Sequence, residues 1–225
     1  MGYTEKEIRD EAILALQRDV NSLYNLDRVK QTGATTDTHR PFTEIIAEVI
    51  LENIDSLNRI KRIRREASYR TKGHGSHEDI TSNHEEERLA IKLFQRATSF
   101  PGFGRILDYQ VPLKNKLADK AGKIDLLSIQ DNKVYILELK KEDSPESMLR
   151  CVLESYTYSK IVDDEKLKAD FDIPETATVI PAPLVFEGGK QYNEYHDIDG
   201  EHPLLRELMH RLHIIPFFIN PSYFK

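Results

Sequence analysis

The 225-residue chain has a globular composition, with 39% hydrophobic and 31% charged residues, which excludes a disordered or low-complexity class. It has no apolar run of about 18 residues and no signal-peptide pattern, so we expect a soluble, cytoplasmic protein with no membrane partner. The single cysteine, Cys151, excludes an internal disulfide framework. A net charge of −6 usually argues against a nucleic-acid partner, but the charge is distributed unevenly.

Residues 1–65 are predicted to form a helical N-terminal region. Thr4 and Glu7 fit a capping box, and apolar residues at helical spacing extend the first helix to about Leu26. A second helix is predicted from about Phe42 to Arg65. We expect these helices to pack on the rest of the chain or to mediate a homodimer.

A basic cluster lies at the end of the second predicted helix: Arg59, Lys61, Arg62, Arg64, Arg65, Arg70 and Lys72. Such a cluster can bind phosphates, although the helix dipole alone also favours cations at a helix C-terminus. Arg62, Arg64 and Arg65 are the candidate nucleic-acid contacts of this segment. A second candidate track precedes the central hairpin described below: Lys114, Lys116, Lys120 and Lys123.

Residues 66–82 are predicted to form a substrate-facing loop, marked by Gly73 and Gly75. His74, His77 and His84 have no cysteine partner in the sequence, so a zinc site is not favoured there.

The next predicted helix carries three consecutive acidic residues in its first turn. At about 100° per residue, Glu86 lies near the centre of its inward stripe, and Glu85 and Glu87 lie toward the edges. Ser82 with Glu85 fits a capping box, and the helix dipole explains Glu86 about as well as a site role does. Glu86 is the candidate site residue, with Glu87 in reserve.

Two apolar runs, 123–130 and 133–140, predict a β-hairpin around Asp131 and Asn132, a pair that suits a two-residue type I′ turn. Alternation places one apolar set on each face, which indicates a central strand pair covered on both sides. One face carries Ile124, Leu126, Leu137 and Leu139, and the other carries Leu127, Ile129, Val134 and Ile136.

This hairpin brings three charged residues together at one end. Pairing Gln130 with Lys133 places Asp125 opposite Glu138, and Lys140 shares their face. Two carboxylates with Cβ atoms about 5 Å apart destabilise a sheet unless a group such as a divalent cation compensates. The plain alternative is an ion pair between Asp125 and Lys140, with a solvated Glu138.

Three further elements are predicted after the hairpin. A helix with Ser144 as N-cap and Pro145 as its first residue extends to about Val162. A strand over 177–187 contains Pro181 and Pro183, which suggest an edge position or a bend. A short helix over 203–212 and a strand over 214–219 complete the chain.

The segment Gly122-Lys123-Ile124-Asp125 with the triplet Glu138-Leu139-Lys140 resembles the site motif of the PD-(D/E)XK nuclease superfamily. The predicted order of helix, three strands, helix and strand over 83–187 also resembles that superfamily. This chain departs from the name-giving motif because Ile124 precedes the Asp where the motif has proline. An isoleucine suits a strand better than proline does.

The resemblance implies an α/β fold with a restriction-endonuclease-like core over 83–225, in which helices flank a mixed central sheet. It implies Mg²⁺, with Mn²⁺ as a substitute, held by Asp125, Glu138 and the backbone carbonyl of Leu139. Lys140 would assist the nucleophilic water, and Glu86 would support the site. The helix over 145–162 offers two weak matches to further family positions: Glu154 with Tyr158, or Tyr156 alone.

The activity implied by the resemblance is metal-dependent hydrolysis of nucleic acid, more commonly DNA than RNA. The alternative is a protein of the same fold that no longer cleaves and serves as a nucleic-acid-binding or protein-interaction module. The intact Asp, Glu and Lys set argues against that alternative.

Overall fold

The computed structural model describes residues 2–71, 74, 84–96, 98–119, 121–197 and 200–224. Among the residues considered above, Lys72, Gly73, Gly75, His77, Ser82 and Lys120 lie outside these ranges. Within them the chain has an α/β fold built on one six-stranded sheet. In their order across the sheet, the strands are β1 (Ser99–Phe100), β2 (Gly104–Pro112), β3 (Lys123–Gln130), β4 (Lys133–Leu139), β5 (Thr178–Phe186) and β6 (Phe217–Ile219).

The sheet is mixed, since β1 to β4 pair antiparallel and β5 pairs parallel with both β4 and β6. The helices are α1 (Glu5–Arg18), α2 (Asp27–Lys30), α3 (Phe42–Glu52), α4 (Glu85–Gln95), α5 (Met148–Ile161), α6 (Asp164–Asp170), α7 (Lys190–His196) and α8 (Pro203–Arg211). Short 3₁₀ helices occupy Val20–Asn25, Ile54–Arg59 and Pro221–Phe224. None of the described helices has the length and apolar character needed to cross a membrane.

Helices cover both faces of the sheet, as predicted for the hairpin. Val134 and Ile136 of β4 share one buried cluster with α5 and the N-terminal helices. Leu126 and Leu137 share the other cluster with Leu93 of α4. Because β3 and β4 lie in the middle of the sheet, both of their faces are buried.

The hairpin has the predicted register, with Gln130 opposite Lys133 and successive pairs following in step. The predicted type I′ turn is wrong, because that turn needs positive φ at both central residues and only Asp131 has it, at 54°. Asn132 is bound instead to the segment before β5, since its side-chain amide donates to the carbonyl of Thr176 at 2.8 Å.

Both predicted N-terminal helices end earlier than expected. The first ends at Arg18, because Asp19 leaves the helical conformation with φ −152° and accepts a hydrogen bond from the Ser22 hydroxyl at 2.7 Å. Short polar side chains of this kind compete with the helix for backbone and neighbouring groups.

The second predicted helix ends at Glu52 instead of Arg65. The side-chain amide of Asn53 donates to the carbonyl of Val49 at 2.8 Å, and this bond occupies one of the free carbonyls at the helix end. The basic cluster therefore does not lie at the end of α3. Arg59 ends the 3₁₀ helix Ile54–Arg59, and the described residues of the cluster that follow it lie outside helices, so a helix dipole accounts for Arg59 alone among them.

The elements after the hairpin also differ in detail from the prediction. α5 begins at Met148 because Ser147, and not Ser144, is the N-cap, whose hydroxyl accepts from the N–H of Arg150 at 3.1 Å. The helix at Pro203–Arg211 is confirmed, and the last strand is shorter than predicted, beginning at Phe217.

The predicted edge position of β5 is wrong, since this strand lies between β4 and β6. The two prolines are tolerated because β6 pairs only with Leu184, Val185 and Phe186. Pro181 and Pro183 precede that segment, so the backbone N–H groups that they lack are not needed for pairing with β6.

Glu44 joins the N-terminal helices to the C-terminal part of the chain. Its carboxylate is buried on α3 and accepts hydrogen bonds from the N–H groups of Leu204 at 2.9 Å and Leu205 at 2.8 Å. These are amides of the first turn of α8, which have no partner within their own helix. One carboxylate thus connects α3 to α8.

We expect Glu44→Ala to lower the free energy of unfolding by about 2–3 kcal/mol, because it leaves one buried and one partly buried N–H group without an acceptor. Chemical denaturation followed by circular dichroism measures this loss. The control is Glu48→Ala on the same helix, whose partly exposed ion pairs with Arg9 and Arg40 should contribute less than about 1 kcal/mol. Equal losses in the two variants would contradict the role given to Glu44.

Candidate active site

Asp125 lies where β3 and β4 separate. The last backbone pair between these strands is Leu126 with Leu137, one position before Asp125 and Glu138. Beyond it, the N–H of Leu139 donates to Oδ2 of Asp125 at 3.0 Å. A side-chain carboxylate therefore takes part in the contact between the strands at this end of the hairpin.

Gln110 approaches Asp125 from β2. It lies between the pairs Tyr109 with Leu126 and Val111 with Ile124, level with Asp125. Its side-chain amide donates to Oδ1 of Asp125 at 2.9 Å. Its φ of 48° is in the left-handed region, where a non-glycine residue within a strand is strained. Sequence patterning gives no signal for such a conformation, and it did not identify Gln110.

The alternation of side chains breaks at this level of the sheet. Ile124 packs in the buried cluster that contains Leu127 and Ile136, whereas Leu126 packs in the opposite cluster. The prediction that Ile124 and Leu126 share a face is wrong, because it assumes a regular strand through Asp125.

Lys140 is buried among four carboxylates. Its Nζ lies 2.9 Å from Oε1 of Glu138, 3.2 Å from Oε2 of Glu146, 3.7 Å from Oε2 of Glu154 and 3.9 Å from Oε2 of Glu86. Only 4% of its side chain is exposed. Burial acts to lower the pKa of Lys140, but the attraction of neighbouring acidic groups, Glu138 foremost, outweighs burial and raises it well above its ordinary value.

These contacts rule out the plain alternative for the charged triplet. Lys140 pairs with Glu138 and not with Asp125, and Glu138 is 5% exposed and so is not solvated. Removing one partner of a buried, hydrogen-bonded lysine–carboxylate pair is costly, because the other charge is left buried and unpaired. The arrangement is therefore more than an exposed ion pair at a sheet end.

Glu86 is the acidic residue of α4 that reaches this cluster. Its Oε1 also accepts from the N–H of Lys141 at 3.4 Å. Glu85 turns outward and pairs with Nζ of Lys141 at 3.2 Å, and Glu87 is half-buried. The predicted capping box involves Ser82, which lies outside the described residues; α4 begins at Glu85 with His84 as its N-cap.

Helix α5 adds Glu154 and Tyr158 to the cluster. The Tyr158 hydroxyl donates to Oε1 of Glu154 at 3.0 Å, and Nη2 of Arg150 lies 3.2 Å from Oε2 of the same carboxylate. Gly122 makes the approach of Tyr158 possible, since a Cβ atom at Gly122 would lie 2.1 Å from the tyrosine hydroxyl. Burial raises the pKa of Tyr158, so this hydroxyl stays protonated and can only donate to Glu154. Tyr156 packs in the core.

Acidic groups outnumber basic groups at this site. It holds five carboxylates and two cations: Asp125, Glu138, Glu86, Glu146, Glu154, Lys140 and Arg150. Within the described residues, Oε2 of Glu154 is buried without a hydrogen bond, although it lies at ion-pair distance from two cations.

Burial and mutual repulsion favour the protonated acids in this cluster. Burial raises the pKa of Asp125 to about 7, and Lys140 partly opposes this effect. Burial, followed by the charge of Asp125, raises the pKa of Glu138 well above its ordinary value. Burial also raises the pKa of Glu86.

Asp125, Glu138 and the carbonyl of Leu139 fit the donor set that Mg²⁺ prefers. The Lys140 N–H donates to Leu184 of β5. Because a trans peptide holds its C=O opposite to its N–H, the Leu139 carbonyl points away from β5, toward Asp125. In the described part of the chain, no three His, Cys, Asp or Glu residues form a metal-holding group. Mg²⁺ commonly needs only one or two carboxylates, completed by waters and substrate phosphates.

The predicted nucleic-acid contacts have different surroundings. Arg62 pairs with Asp164 at 2.6 Å, and Arg65 donates to the backbone carbonyls of Lys114 and Ser68. Arg64 and Lys123 are exposed.

Two of the three histidines considered for zinc lie within the described residues. Nδ1 of His74 is 2.6 Å from Oδ1 of Asp108, and its ring stacks on Tyr109 at 3.7 Å between centroids. His84 is the N-cap residue of α4, so these two histidines have separate structural roles.

Comparisons with protein-family models, with curated proteins and with solved structures found no match.

The raised pKa of Asp125 predicts that the metal-free protein loses stability as pH rises. The folded protein binds this proton with a pKa of about 7, against an ordinary value of 3.8. The contribution of this group is therefore complete below the ordinary value and is lost as pH rises through about 7, with a slope of at most about 1.4 kcal/mol per pH unit.

Urea denaturation in EDTA between about pH 5 and pH 8 measures this slope. We expect Asp125→Asn to reduce it, since the amide is neutral throughout and no longer repels Glu138. The raised pKa values of Glu138 and Glu86 account for the slope that remains. Asp143→Asn, at an exposed carboxylate whose pKa is lowered mainly by its hydrogen bond to Lys141, should keep the wild-type slope. An unchanged slope in Asp125→Asn would overturn the assignment of this titration.

Proposed function

We propose that the protein is a metal-dependent nuclease that hydrolyses phosphodiester bonds of nucleic acid, with DNA favoured over RNA. The observation that carries the proposal is the convergence of Asp125, Glu138 and Lys140 at a buried strand end where carboxylates outnumber cations. A metal dication and an anionic phosphodiester are the pair of ligands that such a set of groups suits best.

The arrangement of elements around the site supports the same proposal. Helix α4, strands β2, β3 and β4, helix α5 and strand β5 follow each other along the chain, with the two-residue β1 and the short α6 as additions. This order supports a restriction-endonuclease-like core and membership of the PD-(D/E)XK superfamily as part of the proposal.

In the proposed site, Asp125, Glu138 and the carbonyl of Leu139 hold Mg²⁺. When bound, the ion supplies a Lewis acid that polarises the phosphoryl group and lowers the pKa of the attacking water. Gln110 and the N–H of Leu139 each hold one oxygen of Asp125 and so fix the orientation of its carboxylate.

Lys140 orients the water or donates to the phosphate, because an ammonium group is a strong partner for phosphate oxygens. Its position does not depend on Glu138 alone, since Glu146 and Glu154 also hold Nζ. Glu86 closes the cluster from α4.

The second candidate is a nucleic-acid-binding or protein-interaction module of the same fold that does not cleave. One observation favours it: both oxygens of Asp125 and the amino group of Lys140 already have protein partners. Measurements of metal binding and cleavage on the same variants separate the two functions.

We expect the wild type to bind Mn²⁺ and to cleave DNA with Mg²⁺ or Mn²⁺ at low salt. Asp125→Asn should weaken Mn²⁺ binding and reduce cleavage by about 100-fold or more. Lys140→Ala should reduce cleavage similarly but keep or raise Mn²⁺ affinity, because it removes a positive charge from the cluster. Calorimetric titration and gel assays on single-stranded and double-stranded DNA and RNA measure both quantities.

The matched control is Lys141→Ala, the neighbouring lysine whose amino group pairs with Glu85 and Asp143 outside the cluster. It should keep both properties within about threefold of the wild type. Circular dichroism checks that each variant is folded. Unchanged Mn²⁺ affinity in Asp125→Asn would refute the metal site, and metal binding without cleavage of any substrate would favour the second candidate.

A further inference from the structure

The loop between β2 and β3 leaves the sheet at the same end as the proposed site. Pro112 pairs with Lys123, and the N–H of Leu113 donates to the carbonyl of Gly122 at 3.3 Å, which closes the base of the loop. Gly122 is three residues from Asp125, a distance of about 10 Å along a strand. A polymer bound at the site therefore passes within reach of this loop.

The turn over residues 114–119 is stabilised by internal hydrogen bonds and exposes Leu117 to solvent. Oδ2 of Asp119 accepts from the N–H groups of Asn115 and Lys116, both at 2.8 Å, and the N–H of Asp119 donates to the carbonyl of Lys116 at 3.0 Å. Leu117 is fully exposed, whereas the exposed leucine of α1, Leu14, is 43% exposed. An apolar side chain is thus displayed by a turn with internal hydrogen bonds.

Cations surround this apolar tip. Lys114 and Lys116 lie on the turn and Lys123 lies at the base of the loop; all three are exposed. No described carboxylate lies within ion-pair distance of them, although the pKa of Asp119 on the same turn is lowered first by its backbone hydrogen bond from Lys116 and further by the charges of Lys116 and Lys114. The guanidinium of Arg65 donates to the carbonyls of Lys114 and Ser68, and no carboxylate among the described residues forms an ion pair with it.

The segment that carries Arg64 and Arg65 is held against the turn by a second bond, from the N–H of Glu66 to Oδ1 of Asn115 at 2.9 Å. Arg65, from the first basic track, is therefore in contact with the turn that carries Lys114 and Lys116 of the second. Lysines that surround an exposed leucine match a ligand with an anionic backbone and apolar base faces.

We propose that the turn over residues 114–119 is a nucleic-acid contact in which Lys114 and Lys116 bind backbone phosphates and Leu117 inserts between neighbouring bases. This inference rests on the proposed function and adds to it a substrate in which bases are unstacked next to the site. Apolar side chains that enter base steps act as wedges in this way, while the phosphate contacts set position and salt dependence.

Fluorescence anisotropy with a duplex that carries 2-aminopurine at a mismatch, in EDTA, tests the proposal without cleavage. We expect Leu117→Ala to weaken binding about tenfold, to remove the rise in 2-aminopurine fluorescence that reports unstacking, and to leave the salt dependence unchanged. We expect the double variant Lys114→Gln with Lys116→Gln to reduce the slope of log K against log salt by about 2, since each phosphate contact contributes about 0.9.

The controls are Leu14→Ala and Lys6→Gln on α1, which remove an exposed leucine and an exposed lysine and should behave as the wild type. If the wild type cleaves DNA but the Leu117 and lysine variants bind as the wild type does, the inference fails and the proposed function stands. If the loop variants lose binding but no substrate is cleaved, the contact stands and catalysis fails. If the wild type neither binds nor cleaves any nucleic acid, both fail, and a protein partner becomes the better explanation of Leu117.

Discussion

The buried ammonium group of Lys140 is the constraint on which the rest of the site depends. A charge with 4% side-chain exposure is stable only when opposite charges surround it, and here the carboxylates come from four separate parts of the chain. Glu138 belongs to β4, which ends one residue before Lys140, Glu86 to α4, Glu154 to α5 and Glu146 to the segment before α5. The interaction therefore requires the sheet and both helices to be in place together.

The sheet explains why these groups meet at its end and not along its length. Both faces of β3 and β4 are apolar and covered, so the charged side chains of these strands lie near their ends and not in the middle of the ladder. The carboxylate of Asp125 accepts a hydrogen bond from the N–H of Leu139, and Gln110 adopts a strained conformation beside it. Strain of this kind persists where the surrounding structure fixes the residue, as it does in a six-stranded sheet.

The sequence was sufficient to predict the hairpin, its register and the three charged residues at its end. The reason is local: a side-chain period of two and a two-residue connection leave one register that buries the apolar residues. Glu86 could also be predicted from the sequence, since helical periodicity distinguishes the centre of an apolar stripe from its edges.

Features that depend on contacts between distant parts of the chain could not be predicted from the sequence in the same way. The left-handed conformation of Gln110, the change of face at Ile124 and the early ends of α1 and α3 depend on contacts with distant residues or on competing side-chain hydrogen bonds. The position of β5 depends on how far β6 extends beside it, which strand propensity does not specify. For the same reason, the two basic tracks were identified separately, although residues 65 and 66 of the first segment bond to the turn of the second.

The close contact of Gly122 with Tyr158 adds a steric requirement to a site described so far by its charges. A single methyl group at position 122 would overlap the tyrosine hydroxyl, and displacement of that ring would remove the hydrogen bond to Glu154. In related chains these two positions are therefore expected to covary: a side chain at the first requires a smaller one at the second. The expected sequence signature is a glycine three residues before Asp125 and a tyrosine four residues after Glu154. The pattern of charged residues alone does not specify it.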